Sequence, residues 1–203
     1  MYKRYIKRTL DFILAALGSI LLLPLHILIA IAIKVESKGP VFFLQKRVGK
    51  SKKYFRIIKY RTMRIDAPKD VPTHQLSNPE QYITRIGKVL RKTSLDELPQ
   101  VLNILVGQMS IVGPRPALWN QDDLVAERDK YGANDILPGL TGWAQINGRD
   151  ELEIPVKAKL DGEYVSRMSF LFDVRCLLTT VFSVLQHKGI VEGVVKGGKH
   201  GAD

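Results

Sequence analysis

Apolar positions fall into one long block followed by a series of short periodic runs. From Phe12 to Ile33 nearly every residue is apolar (FILAALGSILLLPLHILIAIAI). That is about 22 residues, close to the ~20 an α-helix needs to cross a bilayer. A signal peptide has a shorter apolar core and a small-residue cleavage site after it. No such site follows here, so the block is read as part of the mature chain. Pro24 interrupts it. Proline has no N–H, so the Ile20 carbonyl loses its helical partner and a kink is expected there.

Beyond Gly39-Pro40, a turn signal, VFFLQKRV (Val41–Val48) and YFRIIKYRTM (Tyr54–Met63) read as two strands joined through Gly49–Lys52. On the second strand Phe55, Ile57, Lys59 and Arg61 share a face. A cation on such a face either aims at an anionic ligand or snorkels to solvent. Asp66–Pro79, with Pro68, Pro72 and Pro79, reads as a loop or lid. Helices are expected over Tyr82–Arg91, from Asp96 through Leu105, over Asp122–Tyr131 (polar and exposed), over Glu153–Arg167 and over Phe170–Lys188. Gly113–Pro116 reads as a stiff loop, and Pro138–Arg149 as an irregular glycine-rich one. The last helix carries Leu171, Val174, Leu178, Val181 and Leu185 on one stripe, placed either on the core or in a membrane interface. Gly189 ends it. The expected fold class is α/β, mainly α: a membrane helix, a small β-hairpin and a compact helical domain with amphipathic interfacial helices. The expected division is 1–38 for the membrane segment, 39–189 for the catalytic domain and 190–203 for a flexible tail.

Charge placement sharpens this picture. The net charge is +11 over 203 residues, with 45% hydrophobic and 25% charged residues. Residues 1–60 hold 13 Lys/Arg against two acids, Asp11 and Glu36, while residues 61–203 balance at 18 of each sign. The whole excess surrounds the apolar block. A basic collar of this kind suits anionic lipid headgroups rather than nucleic acid. Lys3, Arg4, Lys7 and Arg8 precede the block and Lys34, Lys38, Lys46 and Arg47 follow it. The positive-inside rule predicts one rich flank for a span, so two rich flanks suit a re-entrant hairpin bent at Pro24. A straight span with a tolerated proline is the alternative. The single cysteine, Cys176, excludes an internal disulfide, and no Cys/His grouping has zinc spacing.

Candidate chemistry centres on RKTSLDELPQ, residues 91–100. Ser94-x-x-Glu97 fits a capping box, in which case the acids merely favour a helix N-terminus. Pro99 discriminates between two helix starts. With Ser94 as N-cap, Pro99 falls where an N–H donor is required. With Asp96 as N-cap, the missing N–H is harmless. The helix is therefore expected to start at Asp96, where free N–H groups and the helix dipole also suit a phosphate. A carboxylate beside a bound phosphoryl group can act as nucleophile or metal ligand. Lys59, Arg61, Arg91, Arg115 and Arg149 supply cations, and arginine grips phosphate oxygens bidentately. Those arginines are expected to lower the pKa of Asp96.

These stretches, with KRTLDFILA, KGPVFFLQKRVG, IIKYRTM, LRKTSLDELPQVLNILVGQMSIVGPRP and PGLTGWAQINGR in this order, resemble the bacterial sugar transferases, the small monotopic phosphoglycosyl transferases. The likeness runs from about Lys7 to Gly189. It implies an enzyme that transfers a sugar-1-phosphate from a UDP-sugar to undecaprenyl phosphate, with magnesium, releasing UMP, at the cytoplasmic face of the inner membrane. It implies that Asp96 attacks the β-phosphorus, forms a phosphosugar–aspartyl intermediate and contacts the metal. Glu97 would assist proton removal or activate the acceptor. Lys59, Arg91, Arg115 and Arg149 would contact phosphate, and Asp161 would be an acid near the site. A re-entrant hairpin at Pro24 is implied too, although many relatives carry Ser where this chain has Leu23; Ser19, one turn earlier, could bond a freed carbonyl. A glycosyltransferase releasing UDP and a non-catalytic adaptor of polysaccharide assembly are the competing classes. Neither the donor sugar nor the oligomeric state, a homo-oligomer included, is encoded in any motif.

Overall fold

The computed structural model describes residues 1–68, 78–148 and 152–185. Arg149, most of the proline-rich stretch and the C-terminal tail lie outside them. After a π-helical turn over Tyr2–Ile6, helix α1 (Lys7–Leu21) and helix α2 (Leu23–Glu36) share the apolar block and are bent by 62° relative to each other. Among the described residues no single helix is long and apolar enough to cross a membrane; the bent pair together reaches that length and apolar composition. The break falls at Leu22, and Pro24 occupies the first turn of α2, where no N–H is needed. Ser19 donates to the Ala15 carbonyl (2.7 Å), not to that of Ile20.

Helix α1 turns Lys7 and Asp11 inward. Lys7, Asp11 and Ala15 are buried, while Leu17, Ile20 and Leu21 are 60–80% exposed. The reason is a set of waiting partners. Asp11 accepts from Ser110 Oγ (2.6 Å) and the Ile111 amide (3.2 Å). Asp173 accepts from Lys7 Nζ (2.7 Å), Tyr2 Oη (2.6 Å) and Tyr164 Oη (2.7 Å). Buried charges need such partners. Helix α2 packs Ile29 and Ile33 against Tyr60 and Leu90 and leaves Ile27, Leu28, Ile31 and Val35 exposed.

Strands β1 (Phe42–Val48) and β2 (Tyr54–Tyr60) form the antiparallel hairpin, with Phe42 opposite Tyr60 and Val48 opposite Tyr54. β2 ends three residues short of the expected Met63, because Arg61 turns away to clamp the end of α2. Its guanidinium donates to the Lys38 carbonyl and to the Ser37 carbonyl and hydroxyl. Helix α3 (Arg85–Lys92) starts later than Tyr82, because Thr84 caps it, accepting from the Gly87 amide at 2.9 Å. Glu36, at the end of α2, accepts from the Arg85 and Ile86 amides (2.6 and 3.0 Å), so the apolar helix pair is tied to α3.

Helix α4 (Gln100–Leu105) starts later than expected. Leu95–Glu97 is a separate 3-10 turn entered through Ser94, whose φ of +56° is left-handed, and no side-chain cap is formed there. β3 (Ser110–Val112) and β4 (Gly139–Thr141) pair in parallel; β4 lies inside the glycine-rich segment read as irregular, and β3 just ahead of the Gly113–Pro116 loop, in a stretch assigned no element from sequence. Three residues are too few to display alternation. Helix α5 (Asp122–Asp129), expected to be polar and exposed, buries Leu124 and Arg128. Helix α6 (Trp143–Ile146) is a single turn, followed by α7 (Ile154–Arg167) and α8 (Phe170–Leu185). On α8 the core face is Phe172, Asp173 and Cys176, whereas Leu171, Leu178 and Val181 of the expected stripe point away from it. The buried Asp173, bonded three ways, sets that rotation. Burial pushes the Cys176 thiol up to about 11, which makes it unreactive.

Candidate functional site

Three elements converge on the Asp96–Glu97 turn. β2 brings Lys59, the last turn of α3 brings Arg91, and the loop after β3 brings Arg115. The turn itself is held by i+3 bonds from Glu97 N to Ser94 O (3.3 Å) and from Leu98 N to Leu95 O (3.2 Å). Pro99, fully buried, then leads into α4.

The two acids have different surroundings. Glu97 is held by two cations. Lys59 Nζ lies 2.7 Å from its Oε1, Arg115 Nη2 lies 2.8 Å from Oε1, and Arg115 Nη1 lies 3.4 Å from Oε2. Burial pushes its carboxyl up, but Arg115 and Lys59 outweigh that and hold it far below the ordinary 4.5. A carboxylate so held is a poor proton acceptor near neutrality. Asp96 makes no ion pair among the described residues. Burial raises its pKa above the ordinary 3.8. Lys59 opposes the shift, the Glu97 charge adds to it, and Arg91 and Arg115 oppose it. The expectation that neighbouring arginines set a lowered pKa is thus corrected, because desolvation wins.

Arg91 is oriented by Thr62, whose hydroxyl accepts from Nε at 2.9 Å. Thr62 gave no signal in the sequence. It is brought in by Gly87, where a Cβ would lie 2.0 Å from the Thr62 carbonyl oxygen, so α3 packs backbone to backbone on this segment. Asp161 is placed elsewhere. It lies on α7, 1% exposed, with Oδ2 2.8 Å from Arg128 Nε and 2.6 Å from Arg128 Nη2, and the structure does not bring it to the Asp96 group. Arg61 is spent on the end of α2, and Pro24 on the helix break.

No group of three or more His, Cys, Asp or Glu side chains is assembled for a metal among the described residues. Magnesium commonly uses one or two carboxylates plus substrate phosphate oxygens. Asp96, without an ion-pair partner beside a cationic cluster suited to a diphosphate, fits that mode; Glu97, already paired twice, fits it less well.

Residues 2–187 match the model of the family described as bacterial sugar transferase. The UDP-glucose:undecaprenyl-phosphate glucose-1-phosphate transferase of Escherichia coli (strain K12) is 39% identical over 198 residues, covering 91% of this chain and 41% of that protein. A protein of the same name from Caulobacter vibrioides is 43% identical over 188 residues, covering 88% of this chain and 69% of the other. Exopolysaccharide production protein PSS of Rhizobium leguminosarum bv. phaseoli is 38% identical over 192 residues, covering 89% and 95%. The chain thus spans about two-fifths of the Escherichia coli relative and nearly all of the Rhizobium one. On the strength of a match along almost its whole length, the chain belongs to the bacterial sugar transferase family.

Proposed function

We infer that this protein transfers a sugar-1-phosphate from a UDP-sugar to undecaprenyl phosphate, releasing UMP, as the first membrane step of a surface polysaccharide or glycoconjugate. The observation that carries the reading is the split between the two acids: one carboxylate pinned by two cations, and its neighbour, inside the same cationic cluster, without an ion pair among the described residues. The names of the relatives support the donor and acceptor classes.

In this reading Asp96 is the nucleophile. A carboxylate oxygen attacks the β-phosphorus of the UDP-sugar, and the bond from that phosphorus to the bridging oxygen breaks. UMP leaves with the bridging oxygen. Lys59, Arg91 and Arg115 stabilise the charge that develops on the phosphoryl oxygens and the leaving group. An oxygen of undecaprenyl phosphate then attacks the same phosphorus and releases Asp96. The covalent stage lets a soluble donor and a lipid acceptor use one site in turn. Glu97 holds Lys59 and Arg115 in place rather than moving a proton. Magnesium, when bound at Asp96 with the donor, would neutralise the diphosphate charge.

The bent helix pair supports a re-entrant seat in the bilayer, with both flanks and the catalytic domain cytoplasmic. The exposed apolar faces of α1, α2 and α8 would meet lipid there.

The test is to supply purified protein with magnesium and radiolabelled UDP-sugars without acceptor. Label is expected on Asp96, with UMP as the nucleotide product. Release of UDP, or full turnover by Asp96→Asn, would exclude the mechanism. Single-cysteine variants in the N-terminal tail and at Lys50 are expected to label from the cytoplasmic side only.

A further inference from the structure

Among the described residues strand β2 has one strand neighbour, β1. The backbone groups along its other edge need a partner from elsewhere. Asn103 on α4 supplies one. Its Nδ2 donates to the Arg56 carbonyl (2.8 Å) and its Oδ1 accepts from the Ile58 amide (3.0 Å). Nδ2 also donates to Gln108 Oε1 (2.8 Å). The residue is 1% exposed. One carboxamide thus does for Arg56 and Ile58 what the peptide group of a third strand would do.

This amide joins the two elements that carry opposite charges in the site. Ile58 immediately precedes Lys59 on β2. Asn103 follows Glu97 along a continuous run stiffened by buried Pro99 and by bonds from Val101 N to Leu98 O and from Leu102 N to Pro99 O (both 3.1 Å). The Lys59–Glu97 pair closes the ring. That pair is secure while Glu97 has the cations to itself. An anionic substrate competes for the same Lys59 and Arg115. The amide contact uses backbone groups and no charge, so a phosphate cannot displace it.

We propose that Asn103 is a positioning residue. Through Arg56 and Ile58 it fixes Lys59 against the Asp96–Glu97 turn while substrate phosphate draws on the cations. The proposal rests on the reading of that turn as the reaction centre. Small misplacements remote from the chemistry can cost about 100-fold in rate.

The test compares Asn103→Ala and the isosteric Asn103→Asp with Gln108→Ala, using the full chain in detergent or nanodiscs. Two readouts are taken well below each variant's Tm: kcat and KM for UMP release, and the rate at which acetic anhydride modifies Lys59, followed by mass spectrometry. Both Asn103 variants are expected to lose about 10- to 100-fold in kcat with KM within about threefold. Lys59 is expected to be modified at least about threefold faster, toward the rate in Glu97→Gln, because a lysine freed of its carboxylate partner reacts more readily. Gln108→Ala, which leaves the strand contact intact, is expected to stay near wild type in both. Unchanged Lys59 modification in both Asn103 variants, with activity lost only in step with the folded fraction, overturns the proposal. If the wild type releases no UMP from any UDP-sugar yet Lys59 becomes more reactive in the variants, the reaction assignment fails and the clamp stands.

Discussion

Neutralising the two adjacent acids should move stability in opposite directions. Glu97→Gln removes the charge that faces both Lys59 and Arg115, whose side chains are only 15% and 32% exposed. Losing one member of a fully buried pair costs about 3–5 kcal/mol, and of an exposed pair about 0–1 kcal/mol. The partial exposure here places the expected loss near 2 kcal/mol. For a chain of this size that is a fall in Tm of about 4–8 °C. Asp96→Asn removes a charge that burial disfavours, so Tm is expected to hold or to rise by up to about 2 °C, with activity lost. Linkage gives the two acids opposite pH behaviour. The Asp96 pKa is raised above 3.8, so its contribution is present below that value and lost as the pH rises through the folded-state pKa. The Glu97 pKa is lowered, so its contribution is present above 4.5 and lost as the pH falls below it. The Tm gap between wild type and Glu97→Gln should therefore be full at pH 7 and should narrow below about pH 4.5. Thermal unfolding across pH, with thermally reversible samples, measures both. Equal Tm values for the wild type and Glu97→Gln at pH 7, or a larger loss in Asp96→Asn, would refute the assignment of the cations to Glu97.

Turnover should fall as the pH is lowered, with a midpoint above the ordinary aspartate value of 3.8, because Asp96 must be ionised to attack; a pH–rate profile of UMP release checks this. Asp161→Asn should cost about 3 kcal/mol by leaving the Arg128 charge buried and uncompensated, while kcat per folded molecule stays near wild type. A large loss of kcat with unchanged Tm would instead give Asp161 a part in the chemistry. Gly87→Ala should destabilise by about 1–3 kcal/mol, since the new methyl must push α3 off the Thr62 carbonyl, and chemical denaturation reads the loss directly.

Long features with a strong pattern were legible in the chain. The apolar block, its break near Pro24, the hairpin and most helices follow from periodicity and breakers. Acids, cations and Pro99 clustered together mark the Asp-Glu turn, but the helix expected to start at Asp96 starts at Gln100, after a separate 3-10 turn. Pro99 excluded a helix from Ser94, yet it fits equally a 3-10 turn that ends before α4. Ser94 in a left-handed conformation carries no glycine to announce it. β3 and β4 are held by glycines pressed backbone to backbone, at Gly113, Gly139 and Gly142, rather than by alternation. The rotation of α8 depends on Asp173 meeting Tyr2, Lys7 and Tyr164 from distant parts of the chain. Asp161 found its arginine on α5, and Thr62 found Arg91 across a helix packing. Such pairings between remote positions leave no mark in spacing.

Because α1 keeps Lys7 and Asp11 inside and presents Leu17, Ile20 and Leu21 outside, its greasy ridge belongs to the folded molecule and not to a denatured one. Clumping in plain buffer would then be a property of intact particles, and gains in thermal robustness would not cure it. Polar replacements on the ridge itself would improve solubility without disturbing the interior, at the expense of whatever anchoring that ridge provides.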